Sequence, residues 1–189
     1  VSWARRCVYE TGANRRQRPG RAFERTDYRF DVLSDYGAFR DLQRHRMLTI
    51  DWQPLSPHHG FVRPPAVDAA GLVGEFDAVM ERSAALHDLL HDDFPDQASY
   101  AVSLAYRVRY SMQFNAREAI HMLELRTSPQ GHEAYRRVCQ RMHTAIAEVA
   151  GHHAVAEAMT FVDHSAEPTL GRLDAERRTE EKRRGQTGA

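Results

Sequence analysis

From Leu104 to Phe114 the sequence alternates without a break. Leu104, Tyr106, Val108, Tyr110, Met112 and Phe114 are large and apolar, while Ala105, Arg107, Arg109, Ser111 and Gln113 between them are small or polar. A two-residue period puts the first set on one face of an extended chain, so this segment is predicted to be a strand with one face in a core. It runs directly into Asn115, with Glu118 three residues on. An Asn there can accept from the free backbone N–H groups of a first helical turn, and the Glu completes a capping-box pattern, so a helix is predicted over 116–126. A strand that feeds straight into a helix must share a core with it. That points to an α+β (mixed α/β) domain, a small antiparallel sheet packed with long helices.

The other elements are read the same way. Thr26–Leu33 alternates, with Tyr28, Phe30 and Val32 opposite Arg29 and Asp31, and reads as a half-buried strand. Residues 37–48 suit a short helix ending near Thr49–Asp51. Trp52–Pro65 holds Pro54, Pro57, Gly60, Pro64 and Pro65 and reads as a long loop of the kind that often carries function. Leu72, Phe76, Val79, Ser83, Leu86 and Leu90 mark an amphipathic helix from Asp68, its expected N-cap, to about Asp93, before Pro95. A further helix over about 130–150, extending as far as 162, carries Ala134, Val138, Met142, Ala145 and Val149. A single domain is expected over 1–170, with a charged, disordered tail over 171–189.

Composition sets outer limits. The 189 residues include 26 basic and 26 acidic side chains, so no net positive charge argues for a general nucleic-acid partner. No apolar run approaches a membrane span and no leader pattern opens the chain, so a cytoplasmic setting is expected. Cys7 and Cys139 form no C-x-x-C pair and read as free thiols. Val1 rather than Met stands first, which fits a piece of a longer polypeptide. The balance conceals a polarity, since residues 1–63 hold 12 Arg against 7 acidic residues, while residues 68–99 hold Arg82 against 8. Lys182 is the sole lysine, so nearly every cation is a guanidinium, the better fork for phosphate and carboxylate.

Two arginine clusters are the candidates for chemistry. On a helical wheel of 116–126, Ala116, Ala119, Ile120 and Leu123 form the apolar face, extended by Met122 and Leu125, with Arg117, His121 and Glu124 as a polar stripe. Arg126 falls between Met122 and Ala119 and is expected to leave from a buried sector, where it needs an anionic partner. The plainer reading is a bond to the helix's own last carbonyls or to a structural carboxylate. Arg44-His45-Arg46, at a helix end before the Pro-rich loop, could grip a phosphate, or could be a solvated turn. His87 and His91, four apart beside Asp88, Asp92 and Asp93, and the pairs His58-His59 and His152-His153 read as surface or capping residues. No H-E-x-x-H motif joins them, so no metal site is expected.

Taken together, Arg44-His45-Arg46, a long acidic helix, a strand leading into Asn115-Ala116-Arg117, and a helix closing on Leu123-Glu124-Leu125-Arg126 resemble the flavin-dependent thymidylate synthases, the ThyX family. Ala22-Phe23-Glu24-Arg25 ahead of the Tyr28–Phe30 strand resembles that family's P-F-E-H segment. The resemblance covers about residues 20–160. It implies an FAD-containing homotetramer that methylates dUMP to dTMP, with methylenetetrahydrofolate supplying carbon and NADPH, through the flavin, supplying hydride. By position it implies that Arg44, His45 and Arg46 hold FAD, with Arg44 also near dUMP. Asn115 and Arg117 would contact flavin from a neighbouring subunit, with His121 where the family has a flavin-contacting asparagine. Arg126 would be catalytic, lying against the uracil and favouring its ionised form.

The sequence departs from that pattern around the nucleotide phosphate. Pro54 stands where the family has a serine, with Ser56 two residues later, and Trp52-Gln53-Pro54-Leu55-Ser56 replaces the E-L-S-G-R stretch. Asp41, Ser99 and Pro19 stand at three further family positions. One reading is therefore an active enzyme in which Ser56, aided by Arg63, His58 and His59, takes the missing ligand places. The alternative is a catalytically degenerate half that packs against a second family domain of a longer chain. An arginine-rich interaction module without flavin is a third reading, disfavoured by the zero net charge.

Overall fold

The computed structural model describes residues 19–166, together with residues 176, 177, 180 and 181. Cys7 and nearly all of the tail expected over 171–189 therefore lie outside the described residues. The chain forms two compact units, one from residues up to Tyr28 and from Gln113 onward, the other from Arg29 to Met112. The boundary falls inside two strands, β1 (Asp27–Asp35) and β3 (Arg107–Asn115), which pass from one unit to the other.

With β2 (Thr49–Trp52) these strands make a three-stranded antiparallel sheet in the order β1-β3-β2. Two backbone bonds mark the ends of the β1–β3 pairing. Tyr36 N–H donates to the Tyr106 carbonyl at 2.8 Å, and Ala116 N–H to the Thr26 carbonyl at 2.7 Å. The predicted alternation is realised in β3, where Val108, Tyr110, Met112 and Phe114 are buried and Arg109 and Gln113 exposed.

In the unit from Arg29 to Met112, α1 (Tyr36–Leu42) is capped by Asp35, whose Oδ1 accepts from Ala38 N–H at 2.8 Å. It buries Ala38, Phe39 and Leu42 and ends at Leu42, earlier than predicted, where the helical bonds give way to a turn closed by His45 N–H on the Leu42 carbonyl. Residues 49–52 form β2 where a helix end was predicted. Gln53 N–H, just beyond it, bonds to the Arg109 carbonyl at 3.0 Å, so pairing with β3 overrides local preference. The loop that follows contains a 3-10 turn at Pro57–His59.

The acidic helix predicted as one piece is two. A short α2 (Pro65–Ala69) stops at Gly71, whose φ of 71° favours glycine, and α3 (Val73–His91) starts after it. Asp68 thus lies in α2 and is not the cap of the long helix. The buried face of α3 centres on Met80 and His87, with Phe76 and Ser83 partly covered, whereas Val79 and Leu86 of the predicted face are exposed. Met80, Val102 and Tyr106 form a small core here, with Phe61 and Phe76 packed on it. The Tyr106 hydroxyl donates to the Met80 carbonyl. After His91 comes α4 (Pro95–Ala98), packed on α3.

In the other unit, α5 (Ala116–Arg126) matches its predicted span, and Asn115 Oδ1 accepts from Glu118 N–H at 2.9 Å. The helix predicted over about 130–150 is α6 (Glu133–Glu148), and its extension towards 162 is instead a separate α7 (His153–Ala158), set off where Gly151 takes φ 68°. Helix α5 packs on α6 and on the 3-10 turn Arg21–Arg25, and α6 packs on α7. The buried positions of α6 are Arg136, Cys139, Met142 and Ile146, while Val149 is exposed. No described helix is long and apolar enough to cross a membrane.

Candidate functional site

Arg44, His45 and Arg46 occupy the turn between α1 and β2, the place where the chain leaves a buried helix and enters the sheet. His45 N–H donates to the Leu42 carbonyl at 3.2 Å, which closes the turn. Both arginines are exposed and His45 is half-buried between them. Arg44, exposed, lies 3.6 Å from the half-buried Asp41, a surface pair of small energetic worth. Two exposed guanidiniums two residues apart on a closed turn are a donor set suited to the phosphates of a dinucleotide such as FAD.

Ser56 stands half-buried at the head of the Pro57–His59 turn and does not cap it. Of the residues proposed to help it, Arg63 is already engaged. Its guanidinium donates to both carboxylate oxygens of Asp77, at 2.8 and 2.6 Å, with Asp68 at 3.6 Å. The Asp77 hydrogen bonds hold the guanidinium above its ordinary pKa. Such a bidentate clamp leaves it poorly placed to trade carboxylates for a nucleotide phosphate. His59 Nε2 is likewise bonded to Gln53 Oε1 at 2.7 Å.

In the other unit, Asn115 and Arg117 carry structural duties. Asn115 spends its side-chain oxygen on the α5 cap. Arg117 donates from Nε to the Pro19 carbonyl at 3.1 Å and from Nη1 to Glu24 Oε1 at 2.6 Å, tying α5 to the Arg21–Arg25 turn. Hydrogen bonds from Arg21 and then Arg117 hold the Glu24 carboxyl below its ordinary range. His121 is exposed on the same helix.

Arg126 is half-buried rather than buried, and its guanidinium lies 5.3 Å from the centre of the Tyr135 ring. It also weakly offsets the burial that pushes the Cys139 thiol up to about 12. Among the described residues, the buried arginine of this unit is Arg136, only 3% exposed. It donates to the Thr127 carbonyl at 2.9 Å and the Ser165 carbonyl at 3.2 Å, and lies 3.7 Å from Asp163. The polar stripe of α5 differs from the wheel in one more respect: Glu124 is buried and accepts from Phe161 N–H at 3.3 Å, and Leu125 is exposed.

Comparison with known proteins gives these residues a setting. A family model described as thymidylate synthase complementing protein matches residues 11–152. A UPF0159 protein of Chlamydia pneumoniae is 38% identical over 168 residues, covering 88% of this chain and 31% of the relative. A UPF0159 protein of Thermoplasma acidophilum is 39% identical over 165 residues, covering 86% and 32%. This chain therefore spans about a third of the length of those curated relatives. Among solved structures, Thymidylate Synthase X (ThyX) from Helicobacter pylori with FAD and dUMP superposes with a TM-score of 0.61, at 18% identity over 84% of each chain. A UMP/dUMP methylase, PolB, from Streptomyces cacaoi bound with 5-Br UMP reaches 0.60, at 20% identity over 74% of this chain and 75% of that one. At such identities the likeness shows the fold.

Proposed function

The chain belongs to the thymidylate synthase complementing protein family, and on that premise we propose that it is a flavin-dependent thymidylate synthase acting on dUMP. The observation that carries the proposal is that one family match spans both arginine clusters, Arg44 to Arg46 and Asn115 to Arg126. The fold neighbour crystallised with FAD and dUMP supports the same ligands here.

In this reading Arg44 and Arg46 neutralise the FAD phosphates, and His45, half-buried between them, orients the turn. FAD held there would supply, at the expense of NADPH, the hydride equivalent needed when the carbon unit of methylenetetrahydrofolate passes to dUMP. Arg126 faces the uracil of dUMP and favours its ionised form, with the Tyr135 ring holding the guanidinium in place. Ser56 takes a hydrogen bond to dUMP, and His121, with the side-chain amide of Asn115, adds flavin contacts from a neighbouring copy in a cytoplasmic homotetramer. The test is formation of dTMP by the purified chain from dUMP, methylenetetrahydrofolate, NADPH and FAD. Turnover supports an enzyme, and its absence with flavin still bound refutes it.

The length of the relatives favours a second reading. A chain that aligns with about a third of a longer protein suits a family domain working against another part of the same polypeptide. The engagement of Arg63 with Asp77 and Asp68 also suits a flavin-binding module lacking its own nucleotide-phosphate ligands.

A further inference from the structure

We propose that His58, His87 and Asp88 form a binding site for a divalent first-row transition ion, with Zn²⁺ as the natural probe. One ligand atom from each side chain lies within 4.8 Å of the others. The Asp88 carboxylate is the hub: its Oδ1 is 3.1 Å from His87 Nδ1 and 3.7 Å from His58 Nε2. Zinc bonds of about 2.0–2.1 Å in tetrahedral array put neighbouring ligand atoms about 3.3 Å apart, so both edges need only small side-chain adjustment to close on one ion. Two imidazoles and one carboxylate suit zinc and its transition-metal neighbours rather than calcium or magnesium.

The three residues are prepared by their surroundings. His87 lies on the buried face of α3 and is 3% exposed, so packing restricts its ring. His91, one turn on, stacks on it with ring centres 5.5 Å apart. His58 is carried by the 3-10 turn, which is fastened on both sides. Pro57 is buried, Gly60 N–H donates to the Pro57 carbonyl at 2.9 Å, and Arg107 N–H donates to the Gly60 carbonyl at 2.9 Å. Arg107 Nη1 also reaches the His59 carbonyl at 3.4 Å. The His58 and His87 rings meet edge to face at 5.7 Å. His58 and Asp88 are largely exposed, so a fourth position would open to water. A bound ion would clasp the Pro-rich loop to α3 and raise stability with its concentration.

The experiment uses the full 189-residue chain after dialysis against chelator. Zn²⁺ uptake is measured by calorimetry, thermal unfolding is followed with and without Zn²⁺, and Co²⁺ serves as a spectroscopic probe of coordination. The site predicts one ion per chain, a higher Tm with Zn²⁺, and a Co²⁺ spectrum of low coordination number. His58→Ala and Asp88→Asn should each weaken binding by about tenfold or more, the cost of losing even an outer partner. Both side chains are exposed, so circular dichroism should show the variants folded. His153→Ala, a control elsewhere on the surface, should bind as the parent does. No uptake, or uptake unchanged by His58→Ala and Asp88→Asn, overturns the proposal and leaves a His87–Asp88 hydrogen bond with His58 beside it.

Discussion

Arg126, at the end of α5, holds its guanidinium 5.3 Å from the centre of the Tyr135 ring on α6. The contact fixes a cation that is half-buried, and it belongs to the one residue for which the family resemblance implies a catalytic role. Loss of a cation–π contact at such a depth costs about 0.5–1 kcal/mol of stability.

Arg126→Ala should therefore fold, keep its flavin, and lose dTMP formation by about 100-fold or more, the scale of removing one stabiliser of developing charge. Arg126→Lys should recover little, because a compact ammonium does not reproduce the planar fork. Steady-state kinetics and flavin absorbance on the same samples check this. Unchanged turnover in Arg126→Ala would take Arg126 out of the reaction.

Glu24 links Arg21 and Arg117, and both lower its pKa from the ordinary 4.5, Arg21 more than Arg117. A carboxyl whose folded-state pKa is depressed stabilises the fold above its unfolded value, and that contribution is lost as pH falls through the lower folded-state value. The Tm difference between the parent and Glu24→Gln should be full at neutral pH and shrink below 4.5. Added salt should shrink it as well. A difference independent of pH would mean that the charge of Glu24 contributes nothing to the Arg21–Arg25 turn.

Leu123 and Leu125 on α5 separate the observed helix face from the wheel. Leu123 is fully buried and Leu125 is 46% exposed. Leu123→Ala should cost about 2–5 kcal/mol in chemical denaturation. Leu125→Ala should stay within about 0.5 kcal/mol of the parent, as surface substitutions do. Equal costs would contradict the observed burial.

Much of the fold was legible wherever one local signal sufficed. The alternation of β3 and the Asn115 cap of α5 located those elements closely, since a two-residue period and a side-chain cap are local physics. β2 was not legible, because Thr49–Trp52 becomes a strand through pairing with β3, more than fifty residues away. The breaks after α2 and α6 lie at Gly71 and Gly151, whose positive φ could have been suspected from glycine alone but only where the hydrophobic stripe also shifts.

The candidate site divides along the same line. Arg44 to Arg46 fall in a turn at a helix end, as read, although that end comes at Leu42. The buried arginine that needs an anionic partner is not Arg126. It is Arg136, whose neighbours Thr127, Asp163 and Ser165 come from either side of α6 in sequence. Glu124 misled for a similar reason: its carboxylate is buried because Phe161 N–H reaches it from beyond α7. The His58–Asp88–His87 cluster was invisible because His58 comes from a Pro-rich loop thirty residues before α3 places its partners.

The most direct test of the central claim is a visible absorption titration of the purified chain, with FAD and then with dUMP. An active ThyX-type enzyme should bind FAD, and its flavin spectrum should shift when dUMP is added, with both responses lost in Arg44→Ala/Arg46→Ala and the dUMP response alone lost in Arg126→Ala. A chain that takes up no flavin would contradict the account.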